Sequence, residues 1–128
     1  MAVRKAGQVA ILQFPKADLA QGKPRPVLLV TPVPGPYDDW LVCMIFTQLQ
    51  QAVEGFDEVI DQSQSDFPGS GLRVASVVRV ARLAVASAEL LVGAIGEIGP
   101  ERLQRIQQKR ASWIQGGREQ RSEPGQRI

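Results

Sequence analysis

A single arginine, Arg25, stands between Pro24 and Pro26, immediately before the apolar run at residues 27–31. Each proline fixes its own φ and pushes the residue before it toward extended backbone. The guanidinium of Arg25 is therefore predicted to project from a stiff segment at the start of a strand. Stiffness lowers the entropy lost when a guanidinium is aimed at a phosphate or a carboxylate. A solvated arginine without a ligand is the alternative.

Two further arginines, Arg79 and Arg82, lie inside the β-branched segment 75–85. An arginine within a strand is either a residue at the rim of a sheet or a ligand contact placed by a rigid element. For Arg79, an ion pair with the acidic segment 54–66 is the structural alternative to a catalytic role. The chain contains no histidine, which excludes histidine acid–base chemistry and histidine metal ligands. We expect no metal site and no cofactor.

The composition indicates one domain of 128 residues without disulfides, because Cys43 is the only cysteine. This thiol lies in an apolar segment and is predicted to be buried and inert. No apolar run approaches the roughly 18 residues of a membrane span. A cytoplasmic location is expected, since the use of a single cysteine fits a cytosolic setting. Charge is uneven: residues 1–98 carry 8 Lys/Arg and 10 Asp/Glu, a balance of −2, whereas residues 99–128 carry 7 and 3, a balance of +4. Such asymmetry indicates a face for nucleic acid or an acidic partner, or a solvated basic helix and tail.

The hydrophobic pattern predicts five or six short strands before a single helix. Trp40, at the start of the third strand, is predicted to pack in the core or at a dimer interface, with stacking on a base as the alternative. The connection 61–70 is predicted to be a mobile polar loop. Strands followed by one helix favour a small antiparallel barrel or curved sheet capped by that helix. The predicted strands are 8–14, 27–31, 40–47, 56–60, 75–85 and 89–98.

The helix is predicted over about 100–115, from Gly99-Pro100 to Gly116-Gly117. Its apolar stripe is expected to pack on the sheet, with Trp113 in the core. Residues 1–116 are predicted to form the domain and residues 117–128 a disordered basic and polar tail. The predicted stripe consists of Leu103, Ile106, Trp113 and Ile114, with Arg102, Arg105 and Lys109 off it.

Several short segments, in this order, resemble the MazF/PemK-like toxins of type II toxin–antitoxin systems, over about residues 7–115. The resemblance implies an SH3-like barrel of the plasmid-maintenance toxin type, a homodimer, and a metal-independent endoribonuclease that cleaves single-stranded RNA by attack of its own 2′-hydroxyl. It further implies neutralisation by a cognate antitoxin. The segments are Gly7-Gln8-Val9, residues 23–32 (KPRPVLLVTP), Thr47-Gln48, Gly71-Leu72, Ser76-Val77-Val78-Arg79 and Ile95-Gly96-Glu97-Ile98.

The resemblance also assigns roles to residues. Arg25 corresponds to the arginine that stabilises the scissile phosphate, and Thr47 to the threonine whose hydroxyl donates to it. Arg79 corresponds to the PemK-branch arginine proposed as general acid or phosphate stabiliser, and an electrostatic role is favoured because arginine is hard to deprotonate. Lys23, Gln48 and Ser76 follow as substrate-binding residues.

The chain departs from the family at the acidic positions. Gln8 and Ala81 stand where the family carries acidic residues, and a third such position falls at about Ala20 or Gln21. Loss of a general base lowers a rate by about 10²–10⁴-fold. The departures leave open a slow enzyme, recruitment of Asp18 as the base, and a barrel without catalysis that binds nucleic acid or a protein partner. A gyrase-poisoning toxin on the same barrel ranks below these, because it would not need the pair Arg25 and Thr47.

Overall fold

The computed structural model describes residues 4–13 and 24–121, with side chains described as far as 116. Within these ranges the chain forms six strands and two helices, with 3₁₀ turns at Leu49–Gln51 and Ala88–Leu90. The strands are β1 (Gln8–Leu12), β2 (Arg25–Pro32), β3 (Asp39–Phe46), β4 (Glu58–Ile60), β5 (Ser76–Ser87) and β6 (Leu91–Glu97), and the helices are α1 (Phe67–Ser70) and α2 (Pro100–Arg121).

All six strands belong to one antiparallel sheet in the order β4-β5-β3-β2-β1-β6. The predicted fold class, a mainly β antiparallel fold of barrel type with a C-terminal helix, is confirmed. Hydrogen bonds do not close the barrel in the part of the chain that is described, because β4 and β6 remain at the two edges. No helix of this part is long and apolar enough to cross a membrane.

Both faces of the sheet are covered, which explains the continuous apolar runs of β2 and β3. In β2, Leu28 and Val30 belong to the core that packs against α2, whereas Val27 and Leu29 belong to a second cluster on the other face. Trp40 is buried in the second cluster and Cys43 in the first, so the predictions of a core tryptophan and a buried thiol are confirmed.

A bulge interrupts β5 opposite Met44. Ile45 pairs with Val78 and Cys43 with Leu83, so residues 79–82 of β5 face a single residue of β3. Side chains bind the backbone groups that the ladder leaves unpaired. The Val80 N–H donates to Asp57 Oδ1 at 2.9 Å, and the Val80 carbonyl accepts from Arg110 Nε at 3.0 Å.

The segment predicted as a polar loop, residues 61–70, ends in helix α1. Asp66 fixes this segment, since its Oδ2 accepts from the Gly99 N–H at 3.0 Å and from Arg102 Nε at 2.7 Å. Close to α1, the backbone of Gly96 in β6 runs so near the Gly69 carbonyl that a Cβ would overlap it. Only glycine therefore allows β6 and α1 to approach in this way.

Helix α2 begins at Pro100 as predicted, but its apolar stripe is only partly buried. Ile106 is fully buried and Leu103 packs at its side, whereas Trp113 is 38% exposed and Ile114 is 64% exposed. The prediction that Trp113 lies in the core is therefore wrong; its ring meets Phe56 edge-on, with the centroids 6.2 Å apart.

The helix contributes charged residues to the interior instead. Arg102 and Arg110, at 7% and 5% exposure, are as buried as core residues, and the prediction that placed Arg102 off the buried face is wrong. Near the predicted end, Gly116 departs from helical geometry (φ −140°, ψ 15°), and helical backbone then continues to Arg121. Residues 122–128 of the predicted tail lie outside the described residues.

Candidate functional site

The three predicted catalytic residues lie at neighbouring positions on three adjacent strands. Arg25 opens β2, Thr47 follows the last residue of β3, and Arg79 lies near the start of β5. Phe46 pairs with Val77 of β5, and extending the β2–β3 register from Val27↔Met44 places Arg25 beside Phe46. The sheet therefore brings Arg25, Thr47 and Arg79 to one end.

Arg25 is exposed, and its guanidinium has no hydrogen bond or ion pair with any residue in 4–13 or 24–121. Its β1 neighbour in the register is the apolar Leu12. In β2 the odd-numbered residues Val27 and Leu29 lie on the face away from α2, and the alternation of the strand assigns Arg25 to that face. Arg25 is thus a positive charge at a strand end without a described counter-ion.

Thr47 and Gln48 form the turn that leaves β3, and both side chains are exposed. The Gln48 carbonyl accepts from the Gln51 N–H at 3.0 Å, which starts the 3₁₀ turn. Neither the Thr47 hydroxyl nor the Gln48 amide is bonded to another described residue. Both groups are therefore available to a ligand at this end of the sheet.

Arg79 is bound to the protein. Its Nε donates to Asp57 Oδ2 at 2.9 Å, and one Nη lies 3.4 Å from Gln51 Oε1. The Asp57 side chain is 2% exposed and also accepts from the Val53 N–H at 2.9 Å. The ion pair predicted as the structural alternative for Arg79 is present, and a buried carboxylate compensates the charge of Arg79.

Arg82 lies at the other end of the bulge and is exposed. Its guanidinium carbon stands 5.9 Å from the centroid of the Phe46 ring, which is the distance of a cation–π contact. No carboxylate in the described residues pairs with it. Arg82 therefore resembles Arg25, and differs from Arg79, in having no carboxylate partner among the described residues.

The remaining predicted binding residues divide into two cases. Ser76 pairs with Ile60 of the α2-side core, is 2% exposed, and donates its hydroxyl to the Val74 carbonyl at 2.8 Å. This position contradicts a substrate-binding role for Ser76: its strand alternation turns the hydroxyl toward the core, on the face opposite to Val77. Lys23 lies outside the described residues, as do Asp18, Ala20 and Gln21.

Residues 5–114 match the family described as "PemK-like, MazF-like toxin of type II toxin-antitoxin system". The chain belongs to this family. The match spans most of the chain and includes every strand as well as helix α2 up to Ile114. The family resemblance predicted from the sequence is confirmed.

Solved MazF structures share the fold. The chain is similar to MazF in a MazE–MazF complex (Form-II) from Deinococcus radiodurans, with 16% identity, a TM-score of 0.62, and coverage of 89% of this chain and 97% of the other. MazF (Form-I) from the same organism is 20% identical, with a TM-score of 0.59 and coverage of 90% of this chain and 99% of the other. The chain is also similar to an endoribonuclease in complex with its cognate antitoxin, from Mycobacterial species. The identity is 18%, the TM-score is 0.55, and the match covers 90% of this chain and 96% of the other. No curated protein matches significantly.

Two of the positions at which the sequence resemblance predicts missing acidic residues, Gln8 and Ala81, lie within the described residues. Gln8 begins β1, and its Oε1 accepts from the backbone N–H of Lys5 at 3.0 Å. Ala81 is exposed within the β5 bulge. Within residues 4–13 and 24–121, the carboxylate that contacts a predicted site residue is Asp57, which sequence reasoning identified only as part of the acidic segment 54–66. No group of three or more potential metal-ligating side chains occurs among the described residues.

The buried guanidinium of Arg110 donates a hydrogen bond to the buried thiol of Cys43. Arg110 Nη2 lies 3.2 Å from Cys43 Sγ, and Arg110 also donates to Gln107 Oε1. Burial raises the pKa of Cys43 to about 11, against the opposing charge of Arg110. Burial also lowers the pKa of Arg110. The thiol is therefore protonated at neutral pH and unsuited to nucleophilic chemistry.

Proposed function

We propose that this chain is a toxin that cleaves single-stranded RNA, mRNA included, at specific sequences and without a metal ion. The observation that carries the proposal is the exposed guanidinium of Arg25, which has no counter-ion among residues 4–13 and 24–121, at the strand end where Thr47 exposes its hydroxyl. Family membership supports the toxin role. We also propose that the toxin is neutralised by a cognate antitoxin, because one structural neighbour is a MazE–MazF complex and another is an endoribonuclease in complex with its cognate antitoxin. The homodimer is proposed from the family resemblance.

The proposed reaction is an internal transfer within the RNA. The 2′-oxygen bonds to the adjacent phosphorus as its proton leaves, the bond from phosphorus to the 5′-oxygen breaks, and that oxygen takes up a proton. The products are a 2′,3′-cyclic phosphate and a 5′-hydroxyl end. Negative charge accumulates on the phosphoryl oxygens in the transition state, so donors aimed at those oxygens lower the barrier.

Each site residue has a role in this scheme. Arg25 offers a fork of N–H donors and a positive charge to the phosphoryl oxygens. Thr47 donates one hydrogen bond to the same phosphate, and Gln48 contacts the neighbouring nucleotide. Arg79 acts electrostatically, at a position fixed by Asp57, since its Nε already serves that ion pair.

A binding barrel without catalysis is the second candidate, and one observation favours it. Asp57 is the carboxylate in contact with the predicted site, and it already accepts from Arg79, the Val53 N–H and the Val80 N–H. These donors occupy both oxygens of the Asp57 carboxylate, so its contacts are directed at the protein and not at a ligand. In this alternative the same end of the sheet binds RNA or a protein and leaves it intact.

The test is cleavage of a long single-stranded RNA by the full chain in the presence of EDTA, with the new ends mapped. Arg25→Ala is the test variant. Lys5→Ala is the control. Lys5 is an exposed cation that precedes β1, at the end of that strand away from Arg25, and it pairs with Glu97 at 3.5 Å. We expect 5′-hydroxyl ends from the wild type and from Lys5→Ala, and a loss of about 10²-fold or more in Arg25→Ala, the scale of removing one transition-state donor.

The outcomes separate the two candidates. Cleavage that Arg25→Ala leaves intact overturns the proposed role of Arg25. RNA that is bound but not cut by the wild type, across a long substrate of varied sequence, replaces the nuclease by the binding barrel. Cleavage that disappears with EDTA and returns with Mg²⁺ contradicts the metal-independent mechanism.

A further inference from the structure

Three guanidiniums surround the end of β3, and they differ in whether the protein compensates their charge. Arg79 is paired with the buried carboxylate of Asp57. Arg25 and Arg82 are exposed and have no carboxylate partner in residues 4–13 and 24–121. An uncompensated cation retains more of its attraction for a phosphate than one already paired at 2.9 Å. Of these three guanidiniums, Arg25 and Arg82 are therefore more available to RNA than Arg79.

Phe46 connects these two cations. It pairs with Val77 on one side, and the extended β2–β3 register places Arg25 on the other. Its half-buried ring carries the guanidinium of Arg82 at 5.9 Å. Stacking on a ring limits the conformations of a long side chain and leaves the N–H donors at its rim free for an anion. Phe46 therefore presents Arg82 at the same end of the sheet as Arg25.

We propose that Arg82, held by Phe46, forms a second phosphate subsite that binds the backbone phosphate next to the one held by Arg25. Cationic groups that follow the backbone, combined with aromatic rings, are the usual means of binding single-stranded nucleic acid. Arg82 is then a second direct contact to the strand, in addition to the electrostatic role of Arg79, whose position is fixed by Asp57. This inference rests on the proposed function, since it assumes that the ligand at Arg25 is RNA.

The experiment measures binding separately from cleavage. The probe is a fluorescein-labelled pool of random-sequence 2′-O-methyl RNA of about 20 nucleotides, whose blocked 2′-oxygens exclude the proposed reaction. Fluorescence anisotropy is recorded for wild type, Arg82→Ala, Arg25→Ala and Lys5→Ala at several salt concentrations. Each single-strand phosphate contact contributes about 0.7 to the slope of log K against log[salt].

We expect Arg82→Ala to lower the affinity about tenfold, the scale of one hydrogen-bonded contact to a charged group, and to reduce the magnitude of the salt slope by about 0.7. Lys5→Ala should retain the wild-type slope. Phe46→Leu should weaken binding in the wild type and have little further effect in Arg82→Ala, because the ring acts through the guanidinium. Thermal unfolding of each variant verifies that the fold is intact.

A salt slope for Arg82→Ala equal to that of Lys5→Ala overturns the subsite, even when the wild type cleaves RNA. A reduced salt slope for Arg82→Ala, together with a wild type that does not cleave RNA, supports the subsite and overturns the nuclease proposal. A wild type that does not bind the pool overturns the subsite directly.

Discussion

Replacing Glu58 with glutamine tests whether helix α2 is held by a buried carboxylate. Glu58 is 7% exposed, and its two oxygens accept four hydrogen bonds, all from α2. Arg102 and Arg105 donate to Oε1 at 2.9 and 2.8 Å. Arg105 and Lys109 donate to Oε2 at 3.1 and 2.9 Å. Glutamine preserves the shape of the side chain but removes the charge.

The expected loss in the free energy of unfolding follows from the hydrogen bonds that glutamine cannot make. Its carbonyl oxygen can replace Oε1, whereas its NH₂ faces two donors at the position of Oε2, from Arg105 and Lys109. Hydrogen bonds to charged groups contribute about 1.5–3 kcal/mol each, and Arg105 is half exposed, so solvent weakens its share. We expect a loss of about 2–4 kcal/mol in the free energy of unfolding, or roughly 10 °C in Tm.

The effect depends on pH in a defined direction. Burial alone would raise the pKa of Glu58, but hydrogen bonds and charges from Arg105 and Lys109 outweigh burial and lower it. A carboxylate with a lowered pKa in the folded state stabilises the protein above its unfolded pKa of about 4.3, and this contribution disappears as the pH falls through the folded value. The stability difference between wild type and Glu58→Gln is therefore full at pH 7 and shrinks in acid.

The assay is urea unfolding at a fixed protein concentration from pH 7 down to pH 3. Glu101→Gln is the matched control, since Glu101 is an exposed carboxylate in the first turn of the same helix. We expect this control to remain within about 1 kcal/mol of wild type. Equal stability of Glu58→Gln and Glu101→Gln at pH 7, or a difference between wild type and Glu58→Gln that stays constant into acid, refutes the reasoning.

Three other substitutions or reactions test the structure. Asp57→Asn should cost about 1–3 kcal/mol in urea unfolding and reduce RNA cleavage, because it removes the ion pair with Arg79; unchanged stability contradicts the assigned contact. Gly96→Ala should cost more than about 2 kcal/mol, since its Cβ would overlap the Gly69 carbonyl, whereas Gly93→Ala in the same strand meets open space and should be nearly neutral; equal losses would exclude the close approach. Cys43, buried and with a pKa of about 11, should react with a thiol reagent far more slowly in the native state than in urea, and equal rates would show an accessible thiol.

The strands and the start of the helix were predictable because their signals are local. Apolar runs at 27–31 and 40–47, bounded by prolines and polar residues, predict strands buried on both faces, and β2 and β3 are such strands. Gly99-Pro100 marks the start of α2. The shared location of Arg25 and Thr47 also follows from sequence, once antiparallel pairing places the start of one strand beside the end of the next.

The charged interior was not predictable from periodicity. Arg102 lies off the apolar stripe, and it is buried because Glu58 and Asp66 reach it from 44 and 36 residues away in sequence. Polar residues at a helical spacing carry no information about such partners. The stripe also continues to Trp113 and Ile114, which are exposed, because a pattern within a helix does not reveal how much of that helix is covered.

The bulge in β5 has a consequence for the phase of that strand. In a regular strand, residues three apart point to opposite faces, so Arg79 and Arg82 would be separated by the sheet. Val78 and Leu83 are five apart, yet both contribute to the α2-side core, because the inserted residues shift the alternation by one. A spacing of three residues, which in a sequence indicates a helix, therefore places two side chains on the same face of this strand. A deletion of one residue between Arg79 and Arg82 would leave Val78 and Leu83 four residues apart, a spacing at which a regular strand keeps both on one face without any shift in alternation.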